Sequence, residues 1–140
     1  MGESHVALDV EIPSDVKYIE GVIELATRKC RELSIPPRKC SLNVRVALAE
    51  AISNAILRGN GDAAHKHVRV RAMVNDAELV FDVTDEGPGF DLLADWPDPT
   101  RPENLMMEDG RGLFLMQRLM DRVERFQSDG NVVRLTLFRE

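Results

Sequence analysis

The chain has 140 residues, a formal net charge of -6 and two cysteines, which suits one domain spanning residues 1–140 around a single core. Lys and Arg are scattered, and phosphate neutralisation needs a basic patch, so a direct nucleic-acid surface is excluded. No apolar run is long enough to span a bilayer, and the start, MGESHVALDV, lacks the basic and apolar regions of a signal peptide, so a soluble, cytoplasmic protein without membrane contact is expected.

Val6, Leu8, Val10 and Ile12 alternate with Ala7, Asp9 and Glu11, the period of a half-buried strand that Pro13 ends. Ser14 is the expected cap of a helix reaching about Leu33, with Val16, Ile19, Val22, Ile23, Ala26 and Cys30 on its apolar stripe. Pro36 and Pro37 stop it. Cys30 and Cys40 flank the SIPPR turn and, with no export signal, are expected to be reduced and semi-buried.

Residues 41–60, SLNVRVALAEAISNAILRGN, form the central helix. Val44, Leu48, Ala51, Ile52, Ala55 and Ile56 recur at three- and four-residue intervals, Ser41 is the expected N-cap, and Arg58 with Gly59 is the stop signal. Glu50 and Asn54 stand one turn apart on the same side, among Ala47, Ala51 and Ala55. Small neighbours leave room beside this polar pair for a ligand or a metal; a solvated flank is the other reading.

Beyond a polar loop, in which His65 and His67 lack a third ligand for a metal, residues 68–74 and 78–84 alternate as an antiparallel hairpin. Its second strand delivers Asp85 into the glycine-rich turn of Gly87 and Gly89. Three prolines and no sustained period mark residues from about 90 to 109 as a lid, with Trp96 either covering something or anchoring the loop. Gly110, Arg111 and Gly112 then open a helix from Leu113 to about Val123, and a last hairpin turns at Ser128, Asp129, Gly130 and Asn131. The order implies an α/β two-layer sandwich, a mainly antiparallel, mixed sheet covered on one face by helices.

Glycines let backbone amides approach an anion, and a helix N-terminus adds partial positive charge, so residues 110–113 form a candidate phosphate cradle. Asp85 can accept a hydrogen bond from an exocyclic amine such as adenine's, Asn54 can offer its side-chain oxygen to a hard cation, and Glu50 can take a proton from an attacking hydroxyl. Each piece alone also has a purely structural reading, as a turn or a loop end. Their occurrence in this order, with a lid between the glycine motifs, favours one nucleotide site.

In ALAEAISNAI, DEGPGFD, DPTRPENL and GRGLFLMQRLMD the chain resembles, over nearly its whole length, the bacterial anti-sigma-factor serine kinases. These are the RsbW-like branch of the ATPase superfamily that includes gyrase B subunits and sensor histidine kinases; the absence of a histidine-bearing helix points to that branch. The resemblance implies a Bergerat-type ATP-binding fold, with ATP and Mg2+ as cofactors. It implies Glu50 as the general base, Asn54 as magnesium ligand and Asp85 as adenine contact. Gly87 and Gly89 would shape the adenine pocket, and Gly110, Arg111, Gly112 and Leu113 would hold the phosphates. The implied partners are a STAS-type anti-anti-sigma protein, phosphorylated on serine, and a sigma factor that is sequestered; members commonly form homodimers. Arg58 stands where the family often has histidine, which leaves a second reading, a nucleotide-gated partner-binding switch with little kinase activity.

Overall fold

A computed structural model describes residues 4–61, 63, 65–87 and 108–140, and for residues 108–111 it describes the backbone alone. Gly89, Trp96 and the expected lid, apart from the backbone of its last two residues, lie outside the described residues. The elements are β1 (His5–Pro13), α1 (Ile19–Glu32), α2 (Lys39–Gly59), β2 (His67–Val74), β3 (Glu78–Asp85), α3 (Glu108–Leu119), β4 (Arg122–Gln127) and β5 (Asn131–Phe138).

The strands form one five-stranded sheet in the order β1-β2-β3-β5-β4, and every hydrogen-bonded pair is antiparallel. β5 lies between β3 and β4, so β3 and β4 run in the same direction and α3 carries the chain across β5. Side chains alternate cleanly: Val68, Val70, Ala72 and Val74 on β2 are buried, as are Leu79, Phe81 and Val83 on β3. This row faces the helices. The opposite face carries charge, with Arg69 gripping Asp9 at 2.9 and 2.6 Å and Arg134 gripping Asp82 at 2.8 and 2.9 Å. Hydrogen bonds from Arg69, opposed by slight burial and helped by the nearby charges of Arg69 and Arg71, hold the Asp9 carboxyl below its usual range.

α2 is the core helix. An 18-residue window within its 21 residues reaches a mean hydropathy of 1.2, which makes it the one described helix whose length and composition alone would suit a membrane. That apolar side is instead packed inside the molecule: Val44, Leu48, Ile52 and Ile56 are fully buried. At roughly 1.5–3 kcal/mol for each such side chain, their burial outweighs exposed pairs such as Arg45 with Glu20 and Glu24, for which about 0–1 kcal/mol is typical.

Local chemistry moved several element ends from their expected positions. Ser14 is buried and does not cap α1; Asp15 caps the single tight turn Val16–Tyr18 that leads into α1, its Oδ1 accepting from the Lys17 amide at 3.0 Å. Ser41 lies inside α2, because the Pro36 carbonyl already accepts from the amides of Lys39 and Cys40 at the turn behind it. α3 starts at Glu108, so Gly110 and Gly112 belong to its first turns and do not precede it. α3 ends at Leu119, where the Asn43 side chain donates to its carbonyl at 2.7 Å and Asp121 is drawn onto β5 by the Thr136 carbonyl.

The expectation of reduced, semi-buried cysteines is corrected: Cys30 and Cys40 form a disulfide, both are fully buried, and their Cα atoms are 5.6 Å apart. The cause is the turn at Ser34, in the left-handed region at φ 62°, which folds the start of α2 back along the end of α1. Replacing both, Cys30→Ala with Cys40→Ala, should lower the unfolding free energy by about 2–3 kcal/mol, because a bridge of this span restricts the unfolded chain. Urea denaturation checks it: a native midpoint unmoved by reductant would show that the bridge does not form in solution.

Candidate functional site

Asp85 occupies the last position of the buried row Leu79, Phe81, Val83, and it is only 5% exposed. A carboxylate at a core position requires hydrogen-bond donors. Two converge on Oδ1: the Gly87 amide at 2.9 Å, and the Asn131 side-chain amide, also at 2.9 Å. Asn131, at the start of β5, pairs with Asp85 in the strand register and donates to the Gly87 carbonyl as well, at 3.0 Å.

The far end of α2 closes this corner. A wide turn, with the Asn60 amide donating to the Ala55 carbonyl at 2.8 Å, brings Gly59 against the carboxylate. A Cβ on residue 59 would lie 2.1 Å from Asp85 Oδ2 and 2.4 Å from its Cγ, and one on residue 87 would lie 1.5 Å from the Gly59 carbonyl oxygen. Glycine at both places is therefore a requirement of close approach. Asn60, buried beside them, accepts from the Glu86 amide at 2.7 Å and donates to Ser14 Oγ at 3.2 Å and to the His67 carbonyl at 3.0 Å, tying the ends of β1, β2 and β3 together.

Glu50 lies near the middle of the same helix and Asn54 one turn closer to Gly59, both half-buried, with Ala47, Ala51 and Ala55 buried at their sides. The first turns of α3 reach them. A Cβ on Gly112 would come within 2.7 Å of Glu50 Oε2 and 3.9 Å of Asn54 Nδ2, so the bare backbone of α3 lies directly on the polar pair. At about 1.5 Å of rise per residue, Glu50 and Gly59 are separated by roughly 13 Å along the helix axis. The described residues thus hold an acceptor corner at the carboxyl end of α2 and a carboxylate, a carboxamide and the first turns of α3 beside the middle of that helix.

Of the expected site residues, Glu50, Asn54 and Gly112 come together, and Asp85 and Gly87 come together at the second point. Gly110 lies in the first turn of α3; the side chain of Arg111 and all of Gly89 fall outside the described residues. The Leu113 side chain is directed into the core, 3% exposed, beside Met116 and Met120. Arg58 is exposed in the last turn of α2, where its charge complements the helix dipole. Three residues had no assigned place in the site: Gly59, read as a helix stop, Asn60, and Asn131, read as a hairpin turn. Their roles depend on which strand lies beside β3, and only the pattern of a buried row ending in Asp85 hinted that donors were needed.

Residues 12–137 match the histidine kinase-like ATPase domain. The chain is 28% identical over 145 aligned residues to the serine-protein kinase RsbW of Bacillus pumilus, covering 99% of this chain and 89% of that one. It is 26% identical over 136 residues to the serine-protein kinase RsbW of Bacillus velezensis, covering 94% and 84%. The anti-sigma F factor of Clostridium beijerinckii is 26% identical over 98 residues, covering 68% and 67%. Among solved structures, the crystal structure of the RsbU and RsbW domains of Rv1364c from Mycobacterium tuberculosis shares the fold, with a TM-score of 0.65 at 16% identity, over 93% of this chain and 31% of that one.

Gly59→Ala should destabilise the protein by about 1–3 kcal/mol, since the new methyl must displace a carboxylate pinned by two donors, and this exceeds the ~1 kcal/mol that alanine contributes in helix propensity. Urea unfolding measures it. A variant as stable as the native protein would show that Asp85 can swing aside at little cost.

Proposed function

Because the chain belongs to the histidine kinase-like ATPase domain family, we propose that it is an ATP-dependent protein serine kinase and anti-sigma factor. It transfers the terminal phosphoryl group of ATP to a serine of a STAS-type anti-anti-sigma protein and sequesters a sigma factor, acting as a cytoplasmic regulator of transcription and as a homodimer. The observation that supports the kinase most is the placement of Glu50 and Asn54 against the bare backbone of Gly112, on the same helix whose far end abuts Asp85.

The layout suits a nucleoside triphosphate laid along α2. Asp85 takes the base end: its free oxygen accepts from the exocyclic amine of adenine, whereas guanine would present a carbonyl oxygen there and be repelled. Gly87 and Gly89 shape that pocket. The phosphates lie by the first turns of α3, at Gly110, Arg111, Gly112 and Leu113, where the bare glycine backbone leaves room for an anion and the positive end of the helix dipole favours it. Asn54 fits a magnesium site, being a half-buried carboxamide with open backbone in front of it. Bound there, Mg2+ would neutralise charge on the phosphates.

Glu50 is the general base. As the serine oxygen of the partner attacks the terminal phosphorus, the Glu50 carboxylate takes the hydroxyl proton and the bond from that phosphorus to the bridging oxygen breaks, releasing ADP. The buried alanines around Glu50 fix its backbone, so the reach of its side chain sets where the serine must enter.

Arg58 at the position of a family histidine supports the second reading, a nucleotide-gated switch that binds ATP and changes partner affinity without transfer. One set of measurements separates the two. Calorimetry in the presence of magnesium should show ATP bound and GTP bound poorly, with Asp85→Asn removing most of the ATP affinity. Transfer of radiolabelled phosphate to the serine partner should fall by about 10²–10⁴-fold in Glu50→Gln while ATP affinity stays within a few-fold of native; Asn54→Ala should depress both. Unchanged transfer in Glu50→Gln would remove Glu50 as the base, and ATP binding that alters partner affinity with no phosphorylated serine would establish the switch. Sedimentation equilibrium reads the homodimer directly.

A further inference from the structure

We infer that Asn131 is a positioning residue for base recognition: it locks Asp85 so that a single, fixed oxygen is presented to an exocyclic amine, and so it determines the preference for a 6-aminopurine. This rests on the nucleotide reading above and names a residue that acts only through Asp85.

A carboxylate has two equivalent oxygens and a soft terminal torsion, so left alone Asp85 would offer a ligand either oxygen over a broad range of angles. The structure removes that freedom from one side. Oδ1 accepts from both the Gly87 amide and Asn131 Nδ2, each at 2.9 Å. Oδ2 has no hydrogen-bond partner among the described residues and rests against the Cα of Gly59, where any side chain would strike it. Oδ2 is therefore the oxygen left for a ligand.

The Asn131 amide is itself oriented. Its Oδ1 accepts from Gln127 Nε2 at 3.3 Å, across the β4–β5 pair in which the two residues are register partners, and that contact turns the Nδ2 end towards Asp85. The same Nδ2 donates to the Gly87 carbonyl at 3.0 Å, so one carboxamide holds both the carboxylate and the turn beside it. Asn131 is 3% exposed and Asp85 is 5% exposed, so in the native protein the orientation of the carboxylate is set by protein partners. Removing the donor frees the carboxylate to rotate, and an amine that bonded to one fixed oxygen now competes with that motion. A ligand without the amine loses nothing.

The experiment compares ATP with purine riboside triphosphate, which lacks the 6-amino group, by calorimetry on the full chain with magnesium. The native protein should prefer ATP by about tenfold, the worth of one well-made hydrogen bond to a charged acceptor. Asn131→Ala should lose most of that preference through weaker ATP binding, with purine riboside triphosphate bound within about twofold of native. Asn131→Ser, which keeps a hydroxyl donor, should recover part of it. In an Asp85→Asn background, Asn131→Ala should change the preference no further, as expected for two residues acting as one unit. Thermal unfolding of each variant confirms that it is folded. Equal weakening of both nucleotides in Asn131→Ala and Asn131→Ser would reduce Asn131 to a structural role and overturn the inference while leaving the nucleotide site standing. No binding of either nucleotide to the folded native protein would overturn the nucleotide reading itself, and this inference with it.

Discussion

The structure depends on an acid placed where a core residue would otherwise stand. On β3 the row Leu79, Phe81, Val83 faces the helices, and the next residue in that row is Asp85. Burying a carboxylate without partners costs several kcal/mol, comparable to a large share of the net stability of a domain this size. Gly87 and Asn131 satisfy the carboxylate directly, one from the turn after β3 and one from β5, while Gly59 at the end of α2 makes room for it. Asn60 locks the neighbouring strand ends in the same corner. Helix, turn and two strands must therefore be in register before the acid can be buried, which makes this corner a check on the whole fold.

α2 links that corner to the rest of the chemistry. One side of it is apolar and packed against the sheet and α3, so the helix cannot slide or rotate without opening the core. Glu50, Asn54 and Gly59 inherit that rigidity, and their separation along the axis is set by helix rise. The disulfide from Cys30 to Cys40 ties the start of the same helix to the end of α1. The wide turn at the carboxyl end lets Gly59 reach Asp85, a local departure from regular helix of the kind often found at functional sites.

The comparison between expectation and structure divides along the range of the interactions involved. The period-two alternation of residues 68–74 and 78–84 revealed two strands and which side of each is buried. The three-four spacing of Val44, Leu48, Ala51, Ile52, Ala55 and Ile56 revealed α2 and put Glu50 and Asn54 on one side of it. Element ends were less legible, because Ser14 and Ser41 are good caps in isolation and lost that role to Asp15 and to the Pro36 turn. Glycines at 110 and 112 read as a loop end but lie within α3, since a helix that is packed in place tolerates a poor former. The cysteines were misjudged because their bonding depends on how the turn at Ser34 folds one helix onto the next.

The sequence by itself determined the order and type of the elements and the family to which the chain belongs, and it singled out Glu50, Asn54, Asp85, Gly87 and Gly112 as the candidates proposed for the site, because periodicity and motif spacing are written within short stretches. Only the tertiary structure decided that Asn131 holds Asp85, that Gly59 must be small and that Gly112 lies on Glu50. Each of these contacts joins segments distant along the chain, across a strand order in which β5 enters between β3 and β4. No local pattern carries that order; it follows from how the apolar faces of the sheet and helices are buried together.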